Sequence, residues 1–96
     1  MAVYMIIETK EVMDKEGYGE YIKKVPATIE RFGGRYLARG SRITEVSGDW
    51  HPGRLIIVEF GSMEKFRAWW GSPEYRAVAP LREKSARVNA VVVEGL

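Results

Sequence analysis

Two segments of the chain have the composition of strands that are apolar on both faces, and they constrain the fold more than any other feature. Leu55 to Phe60 is apolar at five of its six positions. Val3 to Thr9 is rich in β-branched and aromatic residues, and each of its two alternating sets is mostly apolar. Because successive side chains of a strand point to opposite faces, both segments need cover on two sides. We therefore predict that these two strands lie in the middle of a sheet.

The segment after the first strand has the spacing of a helix. Its apolar residues recur three or four positions apart between Asp14, which can cap the first turn, and Phe32. Pro26 lacks the N–H that would bond to the Ile22 carbonyl, so we expect a kink or a break there. Gly33 follows the last apolar position, and we predict that it ends the helix with a positive φ.

The second half of the chain supplies the remaining elements. The predicted ones are a strand at Arg35–Gly40, a helix capped by Ser62, a helix that starts at Ser72-Pro73, and a strand at Ala90–Val93. The connection 41–53 is rich in turn residues and has room for a hairpin arm at Ile43–Val46. We expect Pro80 to start one further turn of helix, through Ala86.

The resulting order, β-α-β-β-α-β, is typical of a ferredoxin-like α+β fold. In that fold four antiparallel strands form one sheet and the helices cover one of its faces. The first and third strands are central, as the two apolar segments require. A length of 96 residues suits one such domain, so we assign residues 1–96 to a single domain.

The second face of this sheet predicts a homodimer. The side chains that alternate onto it are Tyr4, Ile6, Leu55, Ile57, Ala90 and Val92. The helices cover only the other face, and an apolar patch of this kind is large for a soluble monomer. Two sheets that pack face to face in a symmetric dimer would bury it. The alternative is a monomer in which the connection 41–53 shields the face.

Several motifs, taken together, resemble a known family. They are Tyr21 with Val25-Pro26, Gly33-Gly34-Arg35-Tyr36-Leu37-Ala38-Arg39-Gly40, Gly48-Asp49-Trp50, Arg54 through Glu59-Phe60, Trp69-Trp70, Ser72-Pro73-Glu74-Tyr75 and Pro80-Leu81-Arg82. From about Tyr4 to Gly95 the chain is similar to the DUF1330 family, a domain of unknown function in the dimeric α/β-barrel superfamily. The resemblance implies a ferredoxin-like fold that dimerises through its sheets, and it implies no established activity. Superfamily relatives include cofactor-free monooxygenases, haem-degrading enzymes and decarboxylase-like or purely binding proteins, so the fold does not choose a function.

Composition excludes several kinds of partner and cofactor. Without cysteine the chain has no disulfide and no thiolate metal site. A net charge of +2 is too near neutral to indicate a nucleic acid or an acidic membrane as partner. No Gly-rich phosphate loop is present and His51 is the only histidine that could ligate a haem or a metal, so we expect no cofactor. No apolar run is long enough to span a membrane, and Met1 to Tyr4 lacks the basic segment of a signal peptide, so we expect a cytoplasmic protein.

The candidate site residues lie in and between the second and third strands. Arg39 has the planar guanidinium that suits a carboxylate. Glu59 is an ionisable group in an otherwise apolar strand, where it needs a partner. That partner is Arg39, unless the strand register brings Arg35 to it instead. His51 titrates near neutrality and is a candidate acid–base group.

Two functions of different classes remain open. In the first, the protein binds or converts a small aromatic or carboxylated metabolite without a cofactor: Arg39 anchors it, Tyr36 and Trp50 flank it, and His51 or Glu59 moves a proton. In the second, the protein is a dimeric structural or interaction module without catalysis. Arg39 and Glu59 then neutralise each other and His51 stays in water.

Overall fold

The structure is a computed structural model that describes residues 1–96. Its elements are β1 (Val3–Val12), α1 (Lys15–Arg31), β2 (Arg35–Gly40), β3 (Leu55–Phe60), α2 (Met63–Trp70), α3 (Pro73–Ser85) and β4 (Ala86–Glu94). The four strands form one antiparallel sheet in the order β2-β3-β1-β4. The two strands that are apolar on both faces, β1 and β3, are therefore central, and the ferredoxin-like α+β fold is confirmed.

Short polar side chains set the starts of the helices, as predicted. The Asp14 carboxylate accepts hydrogen bonds from two backbone N–H groups in the first turn of α1. Ser62 caps α2, and Ser72 caps α3, whose first residue is Pro73. None of the three helices is both long enough and apolar enough to cross a membrane.

The end of α1 confirms the prediction for Gly33. Its φ is +78°, in the left-handed region. The Gly33 N–H donates to the Glu30 carbonyl over 3.0 Å, and the Gly34 N–H donates to the Ile29 carbonyl over 3.0 Å. This pair of bonds is a Schellman motif, which satisfies carbonyls that the helix leaves free. It turns the chain directly into β2.

Two prolines and one loop differ from the predictions. Pro26 lies inside α1, which continues through it, and Pro80 lies inside α3 and does not start a separate turn. Val25, next to Pro26, is buried, and packing of that face on the sheet offsets the hydrogen bond that proline removes. The connection 41–54 contains no strand, so the hairpin arm expected at Ile43–Val46 does not form.

The sheet has one face under the helices and one face without cover, which we call the open face. The residues of β1 and β3 buried on the helix side are Val3, Met5, Ile56, Val58 and Phe60. The apolar residues of the open face are Tyr4, Ile6, Leu55, Ile57, Val91 and Val93. Assigning Ala90 and Val92 to this face is wrong. The ladder pairs Ile6 with Val91 and Tyr4 with Val93, and ladder partners share a face.

Candidate functional site

A cleft lies between helices α1 and α3 and the helix side of the sheet. Its larger part, which we call the inner lobe, has a volume of about 210 Å³. Five aromatic side chains line it: Tyr18, Tyr21, Trp69, Trp70 and Tyr75. Met5, Ile7 and Ile56 line it from the central strands. The inner lobe is therefore a mostly apolar cavity with few polar groups, which is the usual composition of a small-molecule site.

Buried hydrogen bonds hold the walls of the inner lobe in place. The Tyr18 and Thr9 hydroxyls lie 3.0 Å apart. The indole Nε1 of Trp69 donates to the Thr28 hydroxyl over 3.0 Å, and that hydroxyl donates to the Val25 carbonyl over 2.7 Å. Trp69 is only 2% exposed. Satisfied buried bonds of this kind give the wall a fixed shape before any ligand arrives.

A pair of tyrosine hydroxyls faces an arginine in the inner lobe. The Tyr21 and Tyr75 hydroxyl oxygens are 3.1 Å apart. Burial, reinforced by the neighbouring Tyr75, raises the pKa of Tyr21 far above its usual range, so Tyr21 is neutral at physiological pH. Burial alone would lower the pKa of Arg82, but the nearby hydroxyls of Tyr75 and Tyr21 raise it. Arg82 is therefore charged, and the hydroxyl pair can donate hydrogen bonds to a ligand.

A smaller part of the cleft, which we call the arginine lobe, lies beside β2 and has a volume of about 30 Å³. Its polar lining comes from Tyr36, Arg39 and Arg54, and it shares Tyr18, Tyr21 and Trp69 with the inner lobe. The Arg39 guanidinium lies 4.6 Å from the centre of the Tyr36 ring. Burial raises the pKa of Tyr36, and the adjacent Arg39 opposes the rise. The Nε of Arg54 is buried and has no hydrogen-bond partner.

The charges that line the cleft are all positive. Arg39, Arg54 and Arg82 line one lobe or the other, and no aspartate or glutamate lines either. The ion pairs of the protein involve other residues: Lys24–Glu20, Arg31–Glu74, Arg35–Glu59, Arg87–Glu11, and His51 with Glu45 and Asp49. A concave site lined by one sign of charge attracts ligands of the opposite sign. This cleft therefore favours an anion.

The structure separates Arg39 from Glu59. Glu59 pairs in the ladder with Arg35 on the open face, where the Arg35 Nε donates to its carboxylate over 2.7 Å. Arg39 pairs with Ile56 and lies on the helix side. The register of β2 shifts between Tyr36 and Ala38, and such a bulge sends the following side chains to the other face. The Arg39–Glu59 ion pair is therefore absent, and Arg35 is the partner of Glu59.

Trp50 and His51 also lie away from the cleft. Trp50 is 55% exposed and borders a shallow pocket with Ile6, Glu8 and Val91, on the open face. The ring of His51 is exposed on the same connection, with Nδ1 2.7 Å from Glu45 and Nε2 3.0 Å from Asp49. No group of three or more potential metal ligands is present. Of the predicted site residues, only Tyr36 and Arg39 reach the cleft, so folding does not bring the five together.

The sequence reasoning missed the residues that contribute most to the cleft's polar chemistry. Arg54 directly precedes β3, and alternation from the buried Ile56 would have placed it on the helix side. Tyr21 and Tyr75 are 54 positions apart, and no local pattern predicts that their hydroxyls meet. Arg82 lines the inner lobe near Tyr75 and Tyr21, and its place in the Pro80-Leu81-Arg82 motif did not predict this position.

Solved structures with a similar fold support the architecture. A protein of unknown function from Rhodopseudomonas palustris has a TM-score of 0.82 at 20% identity, over 99% of this chain and 82% of its own. A dimeric ferredoxin-like protein of unknown function from Jannaschia sp. CCS1 has a TM-score of 0.72 at 10% identity, and the match covers 99% of this chain and 100% of its own. SnoaB, a cofactor-independent oxygenase from Streptomyces nogalater, has a TM-score of 0.63 at 9% identity, and the match covers 99% of this chain and 91% of its own. At these identities the likeness establishes the fold and no activity.

Sequence comparison gives the family. A search of curated proteins finds no match to this chain. The model of the family described as domain of unknown function (DUF1330) matches residues 2–96, which is nearly the whole chain. That match agrees with the motifs in the Gly33 to Gly40 and Ser72 to Tyr75 segments. The chain therefore belongs to the DUF1330 family.

Proposed function

We propose that the protein binds, or converts without a cofactor, a small aromatic or carboxylated metabolite in the cleft beneath α1 and α3. The observation that carries this function is the inner lobe itself, an aromatic-walled cavity of about 210 Å³ with a tyrosine pair and an arginine in its lining. The polar groups are few and converge on one space, as they do in binding sites. Structural packing alone would fill such a space with side chains.

The volume of the inner lobe limits the size of the ligand. A cavity of about 150 Å³ is large enough for benzene, whereas sites for drug-sized ligands span roughly 300–1,000 Å³. At about 210 Å³ the inner lobe suits a single substituted ring. Its aromatic walls favour a planar ligand, because offset stacking adds to the burial of apolar area.

The chemistry available in the cleft is that of hydroxyls and a guanidinium. The Tyr21 and Tyr75 hydroxyls, whose oxygens are 3.1 Å apart, can donate hydrogen bonds to a ligand and orient it beside Arg82. The Arg82 charge stabilises negative charge that develops nearby. SnoaB shows that a protein of this fold can oxidise a substrate without a cofactor, which supports the cofactor-independent form of the proposal.

The open face supports homodimerisation as part of the same proposal. Val91 is 61% exposed and Val93 50% exposed, beside the half-buried Tyr4, Ile6 and Ile57. Relatives from Jannaschia sp. CCS1 and Thermobifida fusca are described as dimeric ferredoxin-like proteins. A second copy packed on the open face would bury these side chains. A purely structural dimer, the competing function, uses this face and leaves the cleft without a role.

A thermal-shift screen separates the two functions. We expect a single-ring aromatic metabolite at about 100 Kd to raise Tm by roughly 10–20 °C, because a ligand that binds only the native state stabilises it. Val88→Trp fills the inner lobe from β4 and should abolish that rise, whereas Val46→Trp, on the exposed connection, should keep it. If no aromatic metabolite raises Tm, the cleft has no such ligand and the structural dimer stands.

A further inference from the structure

Arg54 carries a buried donor that nothing in the protein satisfies. The Thr9 N–H donates to the Arg54 carbonyl over 3.2 Å, which extends the β1–β3 ladder by one residue. The Arg54 side chain consequently lies on the helix side with Ile56 and lines the arginine lobe. Its Nε is fully buried and has no hydrogen-bond partner. An unsatisfied buried donor costs about 1–3 kcal/mol, and more on a charged group, so it calls for a partner that arrives from outside.

Arg39 adds a second guanidinium to the same lobe. It stacks on Tyr36, and no carboxylate of the protein lies within ion-pair distance of it or of Arg54. The third arginine of the cleft, Arg82, lies in the inner lobe near the hydroxyls of Tyr75 and Tyr21. Arg54 Nε is the one buried side-chain polar atom of the protein without a hydrogen-bond partner, and it belongs to the arginine lobe.

From these contacts we infer that Arg54 and Arg39 bind the carboxylate of an aromatic carboxylic acid whose ring occupies the inner lobe. This inference rests on the proposed function of the cleft and names its ligand class. The arginine lobe has about 30 Å³, and roughly 10–15 Å³ already holds one water, so a carboxylate group fits. Guanidinium groups match a carboxylate with two parallel hydrogen bonds, which makes Arg54 the residue that selects acids over neutral rings.

Benzoate and benzamide test the inference, because they share one shape and differ in charge. Binding is measured for each by calorimetry or NMR titration. We expect the wild type to bind benzoate at least about tenfold more tightly than benzamide. Arg54→Met should weaken benzoate binding more than benzamide binding and so reduce that preference, with Arg39 retaining the remainder. Arg42→Met removes the same charge from the exposed connection and should keep the preference, which controls for the net charge.

The outcomes distinguish a failure of the carboxylate site from a failure of the proposed cleft function. If both probes bind equally to the wild type, or if Arg54→Met keeps the preference, the carboxylate site is wrong and the aromatic cleft stands. If neither probe binds, the carboxylate site is also wrong, and the thermal-shift screen decides separately whether the cleft binds another aromatic ligand. Stability gives an independent readout: Arg54→Met should raise the Tm of the ligand-free protein, because it removes an unsatisfied buried donor. A fall in Tm would show that Arg54 supports the fold and would contradict its role as a ligand-binding residue.

Discussion

Arg35 and Arg39 are four residues apart in β2 and face opposite sides of the sheet. In a regular strand two residues at this spacing share a face. The register shift between Tyr36 and Ala38 reverses the alternation, so Arg35 meets Glu59 on the open face and Arg39 enters the cleft. Bulges often re-aim a side chain beside a functional site. Because of this register shift, Arg35 is neutralised by Glu59, whereas Arg39 is available to a ligand.

His51→Ala should leave ligand affinity unchanged to within about twofold, about 0.4 kcal/mol. The His51 ring is exposed, forms hydrogen bonds with Glu45 and Asp49, and lies outside the cleft. Isothermal titration with the best ligand from the thermal-shift screen measures the effect. Arg39→Ala, tested alongside, should weaken binding of an acidic ligand. A tenfold loss of ligand affinity in His51→Ala would show that this histidine takes part in binding.

Ile57→Lys should convert the proposed homodimer into a monomer or an aggregate. Ile57 lies at the middle of the open face, between Ile6 and Ala38, and a lysine there would be buried unpaired in the interface. Sedimentation velocity at micromolar concentration reads the assembly state. Val46→Lys adds the same charge to a residue that is 92% exposed, and it should leave the dimer intact. A monomeric wild type would refute the argument from the open face.

Gly33→Ala and Gly19→Ala should shift the free energy of unfolding in opposite directions. Alanine at Gly33 would have to adopt a φ of +78° and should cost about 1 kcal/mol. Gly19 lies within α1 and has open space where the methyl group of an alanine would stand, so alanine there should add about 0.5–1 kcal/mol. Urea denaturation of both variants measures these changes. Equal signs would contradict the assigned end of α1.

Tyr21→Phe should flatten the loss of stability at alkaline pH. Burial raises the pKa of Tyr21 in the folded protein above the 10.0 of a free tyrosine. The unfolded chain therefore loses this proton first as pH rises through about 10, and unfolding becomes easier by about 1.4 kcal/mol per pH unit from this residue. The difference in unfolding free energy between wild type and Tyr21→Phe, followed from pH 8 to 11 by denaturant titration, isolates the contribution. A difference that stays constant over this range would show that Tyr21 titrates normally.

Local chemistry made most of the fold predictable. Asp14, Ser62 and Ser72 cap helices through atoms within three residues of themselves, and Gly33 ends α1 through bonds within one turn. The limits of β1 and β4 were predicted too short. Their ends pair with each other, from Thr9 with Val88 to Val12 with Ala86, and that pairing is long-range. Pro26 likewise stays helical because α1 packs on the sheet, and helix propensity, which is a local property, does not predict that packing.

The candidate site was less predictable because it depends on register. Tyr36 and Arg39 line the cleft, whereas the partner of Glu59 depended on a bulge in β2 that its sequence does not predict. Trp50 and His51 were grouped with them because their connection joins β2 to β3. That connection runs to the open face, so Trp50 and His51 lie outside the cleft that Tyr36 and Arg39 line, although the sequence places them nearby.

The three tryptophan indoles offer the most direct test of the cleft. Trp69 lines both lobes and is buried, Trp70 lines the inner lobe at 42% exposure, and Trp50 lies on the open face. Their indole N–H signals can be followed together in a ¹H–¹⁵N NMR titration of the wild type with benzoate. A ligand in the cleft should shift the Trp69 and Trp70 signals and leave the Trp50 signal in place. A shift of the Trp50 signal with Trp69 unmoved would contradict the account and would move the site to the open face.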